Sequence, residues 1–120
     1  MTDQPTLTDG VVTLRPFRDE DVAAAVAGHD EVIAHWFGWP REAVTPKRMR
    51  KAIADWRTSY ADGRTQVAFA IEADGAVAGS LDVRLRDEGV GEVSWALYRG
   101  HRGKGIATRA VRTLVDWALT

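Results

Sequence analysis

The stretch Tyr98-Arg99-Gly100-His101-Arg102-Gly103-Lys104-Gly105-Ile106-Ala107-Thr108 decides the fold, because the hydrophobic period changes across it. Before it, Val93, Trp95 and Leu97 alternate with Glu92, Ser94 and Ala96, which predicts a strand over residues 92–98 with one set on each face. After it, Ala110, Leu114, Val115 and Ala118 recur at helical spacing, which predicts a helix from about residue 106 to 119 with those four as its buried stripe. Residues 100–105 between them form a Gly-rich turn.

A helix N-terminus carries unpaired N–H groups and partial positive charge, so such a turn suits phosphate oxygens. Gly103 and Gly105 let the backbone turn and approach a ligand without a Cβ in the way, and Ala107 keeps the first helical turn small. No acid stands between Glu92 and Asp116, whereas Arg99, Arg102, Lys104, Arg109 and Arg112 are basic. On turn and charge alone, an ordinary turn with a solvated basic face fits equally well. Two other nucleotide loops fit worse. A Walker A loop needs Lys and then Ser or Thr after its second Gly, where this chain has Ile106 and Ala107. The dinucleotide fingerprint needs a third Gly or Ala where Thr108 stands.

Upstream, Val67, Phe69 and Ile71 alternate with Gln66, Ala68, Ala70 and Glu72, and Val77, Gly79, Leu81, Val83 and Leu85 with Ala78, Ser80, Asp82, Arg84 and Arg86. Asp74-Gly75 between them is a hairpin signal, and residues 87–91 form a second turn, so three strands make an antiparallel meander. Residues 11–15 predict an earlier strand closed by Pro16, preceded by a polar leader over residues 1–10. Asp19, Glu20 and Asp21 open a helix over residues 22–28 striped by Val22 and Val26. Residues 29–46, with Trp36, Phe37 and Trp39 beside Gly38 and Pro40, are a short helix or loop. A further helix starts at Pro46, carries Met49, Ile53, Trp56 and Tyr60 on one face, and ends at Asp62-Gly63. The order is that of an α+β (mixed α/β) domain: an N-terminal strand, two to three helices, the meander, the Gly-rich loop and a helix.

At 120 residues the chain fits one domain over residues 1–120. Sixteen Lys and Arg against seventeen Asp and Glu give a net charge of −1, which argues against nucleic acid or an anionic membrane as a partner held by global charge. There is no cysteine, which removes disulfides, thiolate zinc sites and a cysteine nucleophile. The start is polar and acidic, and no apolar run approaches the roughly 20 residues of a membrane span, so a cytoplasmic location is the expectation. His29 and His35 do not have a metal-ligand spacing and are expected at the surface or at helix caps, and no metal is expected.

Arg102-Gly103-Lys104-Gly105-Ile106-Ala107 resembles the (Gln/Arg)-x-x-Gly-x-(Gly/Ala) motif of the GCN5-related N-acetyltransferase (GNAT) family. The preceding Gly91-Glu92-Val93-Ser94-Trp95-Ala96-Leu97 is similar to the fourth strand of that family's ribosomal-protein N-terminal acetyltransferase branch. Thr13-Leu14-Arg15-Pro16-Phe17-Arg18-Asp19-Glu20-Asp21 and the aromatic patch at residues 36–39 resemble the same branch. The resemblance implies acetyl-CoA as cosubstrate. It implies that backbone N–H groups from Arg102 through Gly103, Lys104, Gly105 and Ile106 to Ala107, with Thr108 following, bind the CoA pyrophosphate. The pantetheine arm would pair with Trp95, Ala96 and Leu97, and the Leu97 N–H would polarise the thioester carbonyl.

The implied acceptor is a primary amine, small or peptidic, whose pKa near 10 calls for a general base. Glu92 is the candidate base, acting through water, although a strand-end carboxylate paired with Arg84 or Arg86 is the plainer reading of that residue. Ser94 on the same face would order the water. Trp36 and Trp39 fall where the family builds its acceptor wall.

The sequence ends at Thr120, within the helix after the loop, where family members usually continue with further strands and a helix. A fragment, a short member completed by another chain and an inactive copy all fit, and a homodimer or completion by another chain is expected because the fourth-strand edge would lie open. The rival to an N-acetyltransferase is a non-catalytic CoA-binding or dimerisation module derived from the same fold.

Overall fold

The computed structural model describes residues 4–38, 40, 42, 44–61, 66–85 and 91–118, the side chains of 36, 37, 59–61, 66 and 85 excepted. The elements in chain order are β1 (Leu7–Thr8), β2 (Val12–Arg15), a single 3₁₀ turn (Asp19–Asp21), α1 (Val22–Gly28), α2 (Glu31–Phe37), α3 (Pro46–Ala61), β3 (Gln66–Ala73), β4 (Ala76–Leu85), β5 (Gly91–Leu97) and α4 (Ile106–Ala118). All five strands form one antiparallel sheet in the order β1-β2-β3-β4-β5. Trp39, the Asp62-Gly63 stop, the turn residues 87–90 and Leu119 lie outside the described residues.

The leader is not merely polar. Leu7 and Thr8 pair with Leu14 and Thr13, forming a strand too short for an alternation to reveal. The next strand starts one residue later than expected, with Val11 exposed and Val12 fully buried. Between β3 and β4, Asp74 and Gly75 both take positive φ (54° and 76°), as a tight hairpin turn requires.

Two cores sandwich the sheet. On one face Val67, Phe69 and Ile71 pack against α4 through Ile106, Ala110 and Leu114. On the other, the small Ala68 and Ala70 let α1 and α3 come close, and Ile33, Met49 and Ile53 fill that side. The stripe expected on α4 is shifted: Val115 and Ala118 are exposed, whereas Val111 and Trp117 pack on the sheet, Trp117 edge-on to Phe69 at 6.1 Å. A helix lying on a twisted sheet buries the face centred on residues 106, 110 and 114, and Val115 falls just beyond it.

A buried ion cluster ties the layers at the chain's first corner. The Arg15 guanidinium donates from Nη1 and Nη2 to both Asp21 carboxylate oxygens (2.8 and 2.9 Å) and from Nε to Glu72 (2.7 Å). Asp21 also accepts the Arg18 N–H at 2.8 Å. Burial opposes ionisation of Asp21, but the Arg15 guanidinium and the Arg18 N–H outweigh it and hold the carboxyl below its ordinary range.

Candidate active site

The turn between β5 and α4 takes its shape from glycine. Gly100, Gly103 and Gly105 have φ of +91°, +75° and +76°, and a Cβ built on any of them meets nothing within 4 Å. The requirement is conformational, and the space over the loop is open. Alternating backbone signs of this kind turn successive N–H groups toward one concavity, here at the start of a 13-residue helix whose first turn holds no acid. Gly103, Lys104, Gly105 and Thr108 are exposed, Ala107 is half-buried and Ile106 is anchored in the core.

Arg102 plays an additional part. Its Nη1 and Nη2 donate to the two Asp30 carboxylate oxygens at 2.9 and 3.0 Å, and its Nε donates to Leu97 O at 2.9 Å. Asp30 is also the N-cap of α2, accepting the Ile33 N–H at 3.1 Å. One guanidinium thus fastens the loop to both the end of β5 and the start of α2. It holds the Asp30 carboxyl down at about 2, against an ordinary 3.8, with the Ile33 N–H acting in the same direction.

Two cavities converge beside this loop. The first, about 520 Å³, lies between the sheet and the helices α1–α3. Its floor is polar, with Ser80, Asp82 and Arg84 from β4 and Ser94 from β5; its opposite wall is apolar, with Phe17, Ile33, Met49 and Trp56. The second, about 460 Å³, runs along the outer edge of β5 past Trp95, Ala96 and Leu97 to Arg102. Ile33, Ser94 and Ala96 line both.

Close packing shapes this junction. A Cβ on Gly28 would lie 2.3 Å from the Tyr98 ring, and one on Gly79 would lie 2.1 Å from Ala96 O. Tyr98, at the end of the first cavity, donates its N–H to Ala78 O at 2.8 Å, and burial pushes its phenol well above the ordinary range. The Tyr98 N–H thus points into the sheet, whereas Leu97 O is bonded outside it, so the Leu97 backbone faces the open edge of β5.

Of the residues singled out from sequence, Ser94, Trp95, Ala96, Leu97 and Arg102 line the second cavity, and residues 103–108 follow through the turn into α4 with Ile106 buried in the core. Trp95 shares a face with Val93 and Leu97, but on the edge strand it is 48% exposed and lines the second cavity. Glu92 is exposed at the start of β5, in register with Arg84 and outside the cavity lining. Trp36 belongs to α2, with its side chain outside the description, and Trp39 lies outside the described residues. His29 is the C-cap of α1, one of the two positions expected for it; it is buried and lines the first cavity. Asp82, Phe17, Trp56 and Tyr98 were not singled out as site residues. For Asp82 the signal was available: a carboxylate on the same strand face as Ser80, one cross-strand step from Ser94.

Residues 12–120 match the family model described as an acetyltransferase (GNAT) domain. No curated protein matches the sequence. The fold is similar to the crystal structure of a "Probable acetyltransferase" (TM-score 0.81, 22% identity over 95% of this chain and 66% of that one). It is similar to the microcin self-immunity acetyltransferase MccE in complex with acetyl-CoA and AMP (TM-score 0.77, 14% identity, 91% and 63%). It is also similar to RimL, a ribosomal alpha-N-protein acetyltransferase in complex with coenzyme A (TM-score 0.78, 16% identity, 94% and 67%). The chain spans about two thirds of the length of these structures.

Proposed function

The chain belongs to the acetyltransferase (GNAT) domain family, and from that premise we propose that it transfers an acetyl group from acetyl-CoA directly to a primary amine. The observation that carries this is the convergence of two cavities at Ser94 and Ala96, beside a Gly-rich helix N-terminus. The structural neighbours MccE and RimL hold acetyl-CoA and coenzyme A respectively, which supports the same ligand here.

Acetyl-CoA supplies an activated thioester. Backbone N–H groups from Arg102 to Ala107, with Thr108 beside them, hold its pyrophosphate, and Lys104 adds charge. Trp95, Ala96 and Leu97 line the groove for the pantetheine arm, with the Leu97 N–H donating to the thioester oxygen as negative charge builds there; such a donor contributes on the order of 10²-fold in rate. The amine enters from the first cavity, and Trp36 and Trp39 are the residues that the family resemblance gives to acceptor binding. Glu92, through a water ordered by Ser94, takes the amine proton, and the nitrogen attacks the carbonyl carbon. The C–N bond forms, the C–S bond breaks, and the thiolate leaves as CoA.

The test is acetyl transfer to a panel of amines, followed by free thiol release, for the wild type and Glu92→Gln. Loss of a general base lowers turnover about 10²-fold near neutral pH and less at high pH, where the free amine is already abundant. Binding of acetyl-CoA with neither transfer nor hydrolysis would favour the non-catalytic module.

A further inference from the structure

We propose that Asp82 is the acceptor-binding residue, receiving the ammonium group of an amine whose body is apolar or aromatic. This deepens the acyl-transfer reading and rests on it for the fate of the bound amine.

Three observations carry it. Ser80, Asp82 and Arg84 alternate along β4, so all three line the floor of the 520 Å³ cavity. Asp82 lies directly across from Ser94, a residue common to both cavities, whereas Glu92 stands two positions further along β5, about 7 Å away. The Asp82 side chain is 22% exposed, and the cavity's opposite wall carries Phe17 and Trp56, in contact at a ring separation of 5.0 Å. An anionic oxygen facing an aromatic wall complements a cation on a hydrophobic body, and a neutral or acidic molecule of the same shape gains nothing from it.

Among the described residues, three other charged or titratable side chains line this cavity: His29, Arg84 and Tyr98. Arg84 Nε lies 3.5 Å from Asp82 and its side chain is 64% exposed, so this ion pair is weak. Bound there, the amine nitrogen sits about one strand spacing from Ser94, the residue that lines both cavities. Asp82 selects and positions the cation, and proton removal is left to the rim.

The experiment is direct binding, without acetyl-CoA, of phenethylamine and its neutral isostere 2-phenylethanol to the 120-residue chain, its Asp82→Asn variant and its Arg84→Gln variant. The amine is expected to bind the wild type at least about tenfold more tightly than the alcohol. Asp82→Asn should remove that preference while leaving the alcohol's affinity unchanged, which also reports that the cavity is intact. Arg84→Gln, which removes one competing cation, should tighten amine binding. Equal binding of amine and alcohol to the wild type overturns the assignment, as does an amine preference that survives Asp82→Asn; if Asp82→Asn does not fold, weaker amine binding by Arg84→Gln does so instead. Amine binding through Asp82 in a chain that does not bind acetyl-CoA would sink acyl transfer and leave this site standing, and the reverse pattern would sink this site alone.

Discussion

Asp30 shows how much one carboxylate can organise at the residue scale. It caps α2 and clamps Arg102, and its pKa falls from 3.8 to about 2 in the folded chain. A depressed carboxyl pKa contributes stability that is present above the unfolded value and is lost as pH falls through the folded one. The urea midpoint of the wild type should therefore exceed that of Asp30→Asn at pH 5, and the gap should close between pH 4 and 2. A gap that persists unchanged at pH 2 would contradict the clamp. Asp21, 2% exposed and bidentate to Arg15, belongs to the same scale: Asp21→Ala strands a buried guanidinium and should cost about 3–5 kcal/mol in chemical denaturation. Glu72→Ala, at the cluster's more exposed end, should cost under about 1 kcal/mol. Neither role was legible in the sequence. Arg102 was read as a ligand for phosphate because a basic residue in a Gly-rich loop gives no sign of an acid 72 positions away.

At the scale of elements, the sequence was most readable where a period runs unbroken. The strands β3, β4 and β5, the turn at Asp74-Gly75 and the start of α4 all emerge from alternation and glycine placement. Alternation misled only where the register slips. Ile71 faces Gly79 but Glu72 faces Val77, so Ala78 is an extra residue that sends Val77 to the α1–α3 face, away from Leu81 and Val83. Two glycines on either side of β5 then make contrasting predictions. Gly79→Ala drives a methyl into Ala96 O at 2.1 Å, so β5 must move; it should cost about 2–3 kcal/mol and weaken ligand binding at the junction. Gly105→Ala meets open space and carries only the cost of its positive φ, about 1–2 kcal/mol. Thermal melts of the two variants check the order, and a more damaging Gly105→Ala would contradict it.

At the scale of the whole molecule, the site depends on placement no local pattern records. Phe17, Ile33, Trp56, Asp82 and Tyr98 come from five separate segments and meet only because α1–α3 and β4–β5 enclose one space. The loop was legible in advance because its chemistry is contiguous; the acceptor cavity was not, because its chemistry is assembled. Among the described residues β5 pairs only with β4, and Trp95 is half exposed on its outer edge. No described helix is long and apolar enough to cross a membrane.

The central claim is that the Gly-rich turn before α4 holds acetyl-CoA, and isothermal titration of acetyl-CoA into the 120-residue chain tests it most directly, with Gly105→Glu placing a carboxylate in the anion concavity as the control. Saturable one-site binding that Gly105→Glu abolishes in a folded protein is the predicted result. No binding by the folded wild type, or binding indifferent to Gly105→Glu, would contradict the account.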